Sequence, residues 1–205
     1  MRAFSIDQEL SPTATTVADA TIRIIVSRGL DAVSVRAVAK EANLAPGTVQ
    51  YHAKDKDTLL AHAFIRSIQR QAARSEAVQP RDTLFATSVA RLAELLPIGN
   101  VRSEDACVWV TFGSASATRD WLAELYDEAL AQFRTTLETA LARADGTGPI
   151  DDTHSTHSAH SPAQRARLIT ALVNGLTIDN LRAPESSADD LLADLEAGLR
   201  SVLGP

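Results

Sequence analysis

The sequence predicts an all-α chain of about nine helices. It reads as a three-helix N-terminal helix-turn-helix domain joined by a long fourth helix to a helical second domain. Three observations predict this. Apolar residues recur at helical spacing, and no stretch shows the period-2 alternation of a strand. Start and stop signals, such as Ser-Pro pairs, Ser and Asp caps, and Gly or Pro breaks, punctuate the chain at helix-length intervals. Finally, two short helical segments flank a tight turn just ahead of a long helix, the layout of a helix-turn-helix.

Each element follows from its residues. Ser11 before Pro12 is an N-cap with proline at the first helical position, where its missing N–H costs nothing. Ala14, Val17, Ala18, Ile22 and Ile25 share one face of this first helix, and Gly29 ends it. Ser34 caps a second helix with Val35, Val38, Ala39 and Ala42 on its apolar face. Asn43 to Gly47 forms the corner, and a third helix runs over 46–52. Asp55 caps the fourth, over 56–78. Helices over 81–96, 102–116 and 119–144 follow, with Pro97 and Gly99 between the first two. The segment 145–161, rich in Gly, Thr, Ser, Asp and His, reads as a flexible loop. Ser161-Pro162 opens a helix to Arg182, Pro184 stops it, and a last helix covers 187–203. The domains divide as 1–55 and 56–205.

Composition narrows the function classes. Hydrophobic residues make up 45% and charged residues 22%, an ordinary globular balance. No apolar run approaches the ~20 residues of a membrane span. Met1 to Leu10 carries Asp7 and Glu9 and lacks the apolar centre of a secretory signal, so the expected compartment is the cytoplasm. The single cysteine, Cys107, forms no intrachain disulfide. Residues 1–80 hold ten Lys/Arg and eight Asp/Glu, a net +2, whereas residues 81–205 hold ten and eighteen, a net −8. Only the first part suits a polyanion.

The segment 34–56 carries the chemistry. The second helix of such a pair can lie in the major groove of DNA. Thr48, Gln50, Tyr51, His52 and Lys56 supply hydroxyl, amide, phenol, imidazole and ammonium groups there, Gly47 allows close backbone approach, and Arg36 and Lys40 flank them. The stretch Gly29 to Leu60, GLDAVSVRAVAKEANLAPGTVQYHAKDKDTLL, resembles the N-terminal domain of the tetracycline-repressor (TetR) family of transcriptional regulators. Gly29, Ser34, Val38, Ala39, Gly47, Thr48, Tyr51, His52, Lys56, Leu59 and Leu60 carry the resemblance. It implies DNA contact by Ser34, Arg36, Pro46, Gly47, Thr48, Gln50, Tyr51, His52 and Lys56. One position departs: where the family has an aromatic after the histidine, this chain has Ala53. Unless a neighbour such as Phe64 refills the space, the void costs ~3 kcal/mol.

The second domain is read more coarsely. Asp105 to Ala115 and the stretch ALVNGLTIDNLRAP at 171–184 are similar to the C-terminal domain of betaine-repressor-like members. Trp109, Phe112, Trp121 and Tyr126 are either core or the wall of an apolar ligand pocket, to which Asn174 would add a polar group. Leu168, Leu172, Val173 and Leu176, with Leu191, Leu195 and Leu199, exceed what one covered helix needs, and the resemblance implies a four-helix dimer interface. His154, His157 and His160 would share a face on a helix and could then hold zinc or nickel, but their Asp, Ser and Thr neighbours favour a solvated loop. No nucleophile elbow or nucleotide loop is present; Gly146-Thr147-Gly148 lacks a preceding strand and runs into Pro149. The expectation is a homodimeric regulator, not an enzyme, with no cofactor and no membrane partner. It would bind double-stranded operator DNA and be released by a small-molecule effector. The alternative is a small-molecule-binding helical protein that has lost DNA binding.

Overall fold

A computed structural model of the 205-residue chain describes residues 4–146, 160–182 and 187–203. The described residues form nine α-helices and no strand: α1 Pro12–Arg28, α2 Val35–Ala42, α3 Pro46–His52, α4 Lys56–Ala77, α5 Leu84–Ala93, α6 Asn100–Ser116, α7 Asp120–Gly146, α8 Pro162–Arg182 and α9 Ala188–Leu203.

The caps explain the starts. Ser11, Ser34, Asp55 and Thr83 each accept a hydrogen bond from the backbone N–H three residues on, satisfying a donor that the helix leaves open. Gly29 ends α1 at φ 80°, and Asn43 ends α2 in the left-handed region, where asparagine is tolerated best after glycine. Several boundaries differ from the sequence expectation: α5 ends at Ala93 rather than 96, and α7 runs on to Gly146, two residues into the segment expected to be loop. α5 begins at Leu84 rather than 81, because the Thr83 hydroxyl fixes the first turn and Thr87 Oγ1 accepts from Arg81 N outside it. α6 begins two residues early, at Asn100, behind Gly99 at φ 75°. A turn of 3-10 helix at Leu30–Ala32 was not expected from the pattern.

Two apolar clusters hold these helices. The first runs through α1, α2, α3 and α4 and continues into α6 and α7, with Ile22, Ile24, Leu59, Leu60, Phe64, Phe112 and Leu122 fully enclosed. The core of the three-helix head is therefore continuous with part of the second domain through α4. The second cluster joins α5, α8 and α9 through Leu92, Leu96, Ile169, Val173, Leu191, Leu195 and Leu199. α8 and α9 approach closely at Gly198, where a Cβ would lie 2.6 Å from a Leu172 methyl. Among the described residues, no helix is long and apolar enough to cross a membrane.

Ala53 is fully buried at the α3–α4 junction. Phe64 does not refill the space of the absent aromatic. Its ring stacks on Phe112, with centroids 4.9 Å apart, and on Trp109 at 6.0 Å, on the side of the second domain. A 280 Å³ cleft at the junction is lined by Tyr51, His52, Lys54, Thr58 and His62, with Phe4 and Gln8 from the N-terminal segment.

Candidate nucleic-acid interface

α3 is anchored by one fully buried side chain, Val49, and presents the rest of its surface outward. Tyr51 is 81% exposed, the most exposed of the large apolar side chains in the described residues. Its ring meets His52 edge-on at 5.1 Å. Pro46, Gly47 and Gln50 are exposed, and Thr48 and His52 are half-buried. An added Cβ on Gly47 would meet nothing within 4 Å, so α3 offers an open backbone edge there. Arg36 and Lys40 are exposed on α2. Ser34 is exposed, but its hydroxyl caps α2 by accepting from Ala37 N at 3.2 Å. Lys56 Nζ donates to the Asp31 carbonyl at 3.3 Å and lies 3.9 Å from the Asp31 carboxylate, so its ammonium is held beside the head rather than swinging free.

The head is braced from behind. Arg23 Nε donates to Glu41 at 2.8 Å, tying α1 to α2. That hydrogen bond, with the charges of Arg23 and Arg28, outweighs slight burial and holds Glu41 below the usual carboxylate range. The N-terminal segment straps the head to α7. Ser5 Oγ and Ile6 N both donate to the Glu128 carboxylate, at 2.7 and 3.3 Å, and Phe4 packs on Trp121 at 5.4 Å.

A chain of ion pairs crosses from the head into the second domain. Arg66 and Arg70 of α4 reach Asp19 of α1, with N–O distances of 2.9 and 3.7 Å. Arg70 Nε also donates to Asp105 of α6 at 2.9 Å, and Arg74 Nη1 lies 2.8 Å from the other Asp105 oxygen. Arg74 pairs in turn with Glu94, which also receives Arg102. Asp105 is 1% exposed. Burial alone would lower the Arg70 pKa, but the hydrogen bond and charge of Asp105, with Asp19 and Glu104, reverse this and raise it. None of this network was singled out from sequence. Its signal is an arginine at every fourth residue of α4, one per turn, set against the adjacent acids Glu104 and Asp105.

The residues read as a pocket separate into two places. Trp109, Phe112 and Tyr126 come together with Phe64; the Trp109 and Tyr126 centroids are 4.5 Å apart. Trp109 Nε1 donates to Asn174 Oδ1 at 3.0 Å, linking α6 to α8. Tyr126 lies over Gly113, where a Cβ would meet its hydroxyl at 2.9 Å. Burial raises the Tyr126 pKa; Arg134 opposes this and Asp127 adds to it. Trp121 sits apart, against Phe4. A larger cleft of about 890 Å³ lies elsewhere, between α5 and α9, lined by Phe85, Val89, Leu192, Glu94, Arg102 and Arg200 among others.

The interface residues also divide. Val173, Leu191, Leu195 and Leu199 are buried within their own chain, so those side chains present no free surface to a mate. Leu168 and Ile178 are 39% and 40% exposed, and Leu172 and Leu176 are half-buried, leaving an apolar face on α8. Of the histidine triplet, His154 and His157 lie outside the described residues; His160 is half-buried ahead of α8.

The chain matches two family models. Residues 17–63 match bacterial regulatory proteins of the tetR family, and residues 86–204 match the BetI-type transcriptional repressor C-terminal domain. A curated relative, the HTH-type transcriptional regulator PksA of Bacillus subtilis (strain 168), is 32% identical over 97 residues, and the match spans about half of each chain, 47% in both cases. A transcriptional regulator from Rhodococcus sp. RHA1 is similar in structure, with 29% identity, TM-score 0.78, and coverage of 93% of this chain and 95% of that one. A TetR-family regulator from Rhodococcus sp. gives 25% identity, TM-score 0.79, and 95% and 100% coverage. A regulator from Saccharomonospora viridis, solved in complex with choline, shares the fold at 22% identity and TM-score 0.75, over 92% and 95% of the two chains. With its head and its second domain each matched, the chain belongs to the TetR family of DNA-binding transcriptional regulators, with a BetI-type C-terminal domain.

Proposed function

We propose that the protein is a homodimeric repressor that leaves its operator when a small molecule binds the second domain. Residues 1–55 form the reading head, and residues 56–205 bind effector and mate. Thr48, Gln50 and Tyr51 reach base edges or adjacent phosphates, while Arg36, His52 and Lys56 hold phosphate; base contacts choose the sequence and phosphate contacts set the register. Ser34, Pro46 and Gly47 shape the backbone that approaches the duplex. The observation that carries this reading is α3 itself, a helix with one buried anchor, Val49, and an 81% exposed tyrosine, Tyr51.

The mate packs on the apolar face of α8 left by Leu168, Leu172, Leu176 and Ile178. The effector is neutral or cationic and partly apolar, in keeping with the acidic second part, and engages Trp109, Phe112, Tyr126 and Asn174. Aromatic faces attract quaternary ammonium groups. The regulator from S. viridis in complex with choline makes choline the first compound to try. A gel shift with the DNA upstream of the chain's own coding sequence tests the whole reading. Retarded DNA that choline or a related ammonium releases supports it; failure to retard that DNA or any sequence selected from a random pool overturns it.

A further inference from the structure

We infer that Asp105 is a positioning residue that fixes the operator half-site spacing the dimer accepts. The inference rests on the dimeric DNA-binding reading. Asp105 is a carboxylate with 1% exposure, placed on α6 in the second domain. Two successive turns of α4 meet it: Arg70 donates to one oxygen from Nε at 2.9 Å, and Arg74 Nη1 forms an ion pair at 2.8 Å with the other, which accepts no hydrogen bond. Arg70 also lies 3.7 Å from Asp19, and Arg66 donates to the same Asp19 at 2.9 Å, so α1 is carried with α4. The head and α4 thus move as one body, and Asp105 is the buried carboxylate that ties this body to α6 beside the Phe64–Phe112 stack.

Two properties make this a spacing device rather than general adhesion. Apolar side chains tolerate a small slide or tilt, but the planar Arg70 guanidinium donates to one Asp105 oxygen from both Nε and Nη2 and holds it in a narrow range of directions. A buried carboxylate also cannot be left half-paired at small cost, so intermediate tilts of α4 are disfavoured. In the dimer each head is displaced from the two-fold axis by the tilt of its own α4. Because a duplex presents half-sites at fixed intervals, a fixed tilt selects one interval.

The test uses an operator selected by the wild-type protein from random DNA, then rebuilt with the half-sites moved apart or together one base pair at a time. Binding to this series is measured for wild type, Asp105→Asn and, as a control, Arg23→Gln, which breaks an exposed ion pair within the head. Wild type and Arg23→Gln should show one sharp optimum. Asp105→Asn should bind all spacings within a few-fold of each other, the preference for the optimum falling by about fivefold or more, while a single isolated half-site is bound as by wild type. Arg74→Gln, which leaves Arg70 on Asp105, should broaden the profile in the same direction and serves if Asp105→Asn does not fold. A profile as sharp in both network variants as in wild type overturns the inference, as does equal broadening by Arg23→Gln. A wild-type protein indifferent to the second half-site would instead overturn the dimeric reading, and the inference with it.

Discussion

Trp109 and Asn174 are joined across two helices of the second domain, the indole N–H donating to the amide oxygen at 3.0 Å. Trp109 also stacks near Phe64 of α4 at 6.0 Å, so one side chain touches α8, α7 and the helix that carries the head. A molecule that competes for the Asn174 amide would change how Trp109 sits against α4.

Asn174→Leu should therefore retain DNA binding but lose effector release, and Trp109→Ala should do the same. The loss of one hydrogen bond to a partly enclosed indole should cost about 1–3 kcal/mol in unfolding free energy. Tryptophan fluorescence with added effector reads the first effect and urea melts the second. A variant that still releases DNA at the wild-type effector concentration would remove that residue from the site.

Lys56→Ala should weaken binding to all DNA sequences alike and lower the slope of log affinity against log salt by about one unit, the signature of one lost phosphate contact. Tyr51→Ala should weaken specific binding while changing stability by less than about 0.5 kcal/mol, since the ring is solvated. Fluorescence anisotropy at several salt concentrations separates the two. Unchanged salt dependence in Lys56→Ala would show that its ammonium stays on Asp31 in the complex.

Leucines of α8 and α9 should behave in two ways. Leu168→Glu lies on a free face and should give a folded monomer with greatly weakened operator binding. Leu195→Glu puts a carboxylate into a closed core and should unfold the chain, at a cost of several kcal/mol. Sedimentation and circular dichroism distinguish these outcomes. A Leu168→Glu dimer as tight as wild type would move the interface off this face.

Alkaline pH should weaken the fold through Tyr126. Its folded pKa is raised, chiefly by burial, so its contribution is fully present below the unfolded value near ~10 and is lost as pH rises through the higher folded value. Tyr126→Phe should flatten this loss in melts taken between about pH 9 and pH 11. Phenolate absorbance in a Tyr51→Phe background, where Tyr126 alone reports, should titrate late in the folded protein and earlier in urea.

Helix placement was legible because it is local. Ser11, Ser34 and Asp55 cap the helices that follow them, and Gly29 and Asn43 end two of them, all from short-range backbone chemistry. The short helix α3 was legible because Gly47, Thr48, Tyr51 and His52 fall in the order that the TetR family shares. What could not be read is which way an amphipathic residue turns once helices meet. Leu168 and Leu195 are equivalent in pattern, yet one is 39% exposed and the other fully enclosed. Asp105 lies in a run of polar residues that looks solvated; its burial depends on arginines more than thirty positions earlier, and their fourfold spacing along α4 does not say which acid they meet. Phe64 looked available to fill the gap at Ala53, but its ring is committed to the aromatic cluster on the other side of α4.

The strap from Ser5 and Ile6 to Glu128 has a consequence for biosynthesis. The two ends of that contact are 123 and 122 residues apart in sequence, although the helices of the head lie close together in the chain. As the nascent chain leaves the ribosome, α1 to α4 can assemble from neighbouring segments. Their leading residues, by contrast, have no acceptor until α7 is made, at roughly 5–20 residues per second. Closure of this long loop is thus a late event, and it seals a head already built to the domain that arrives after it.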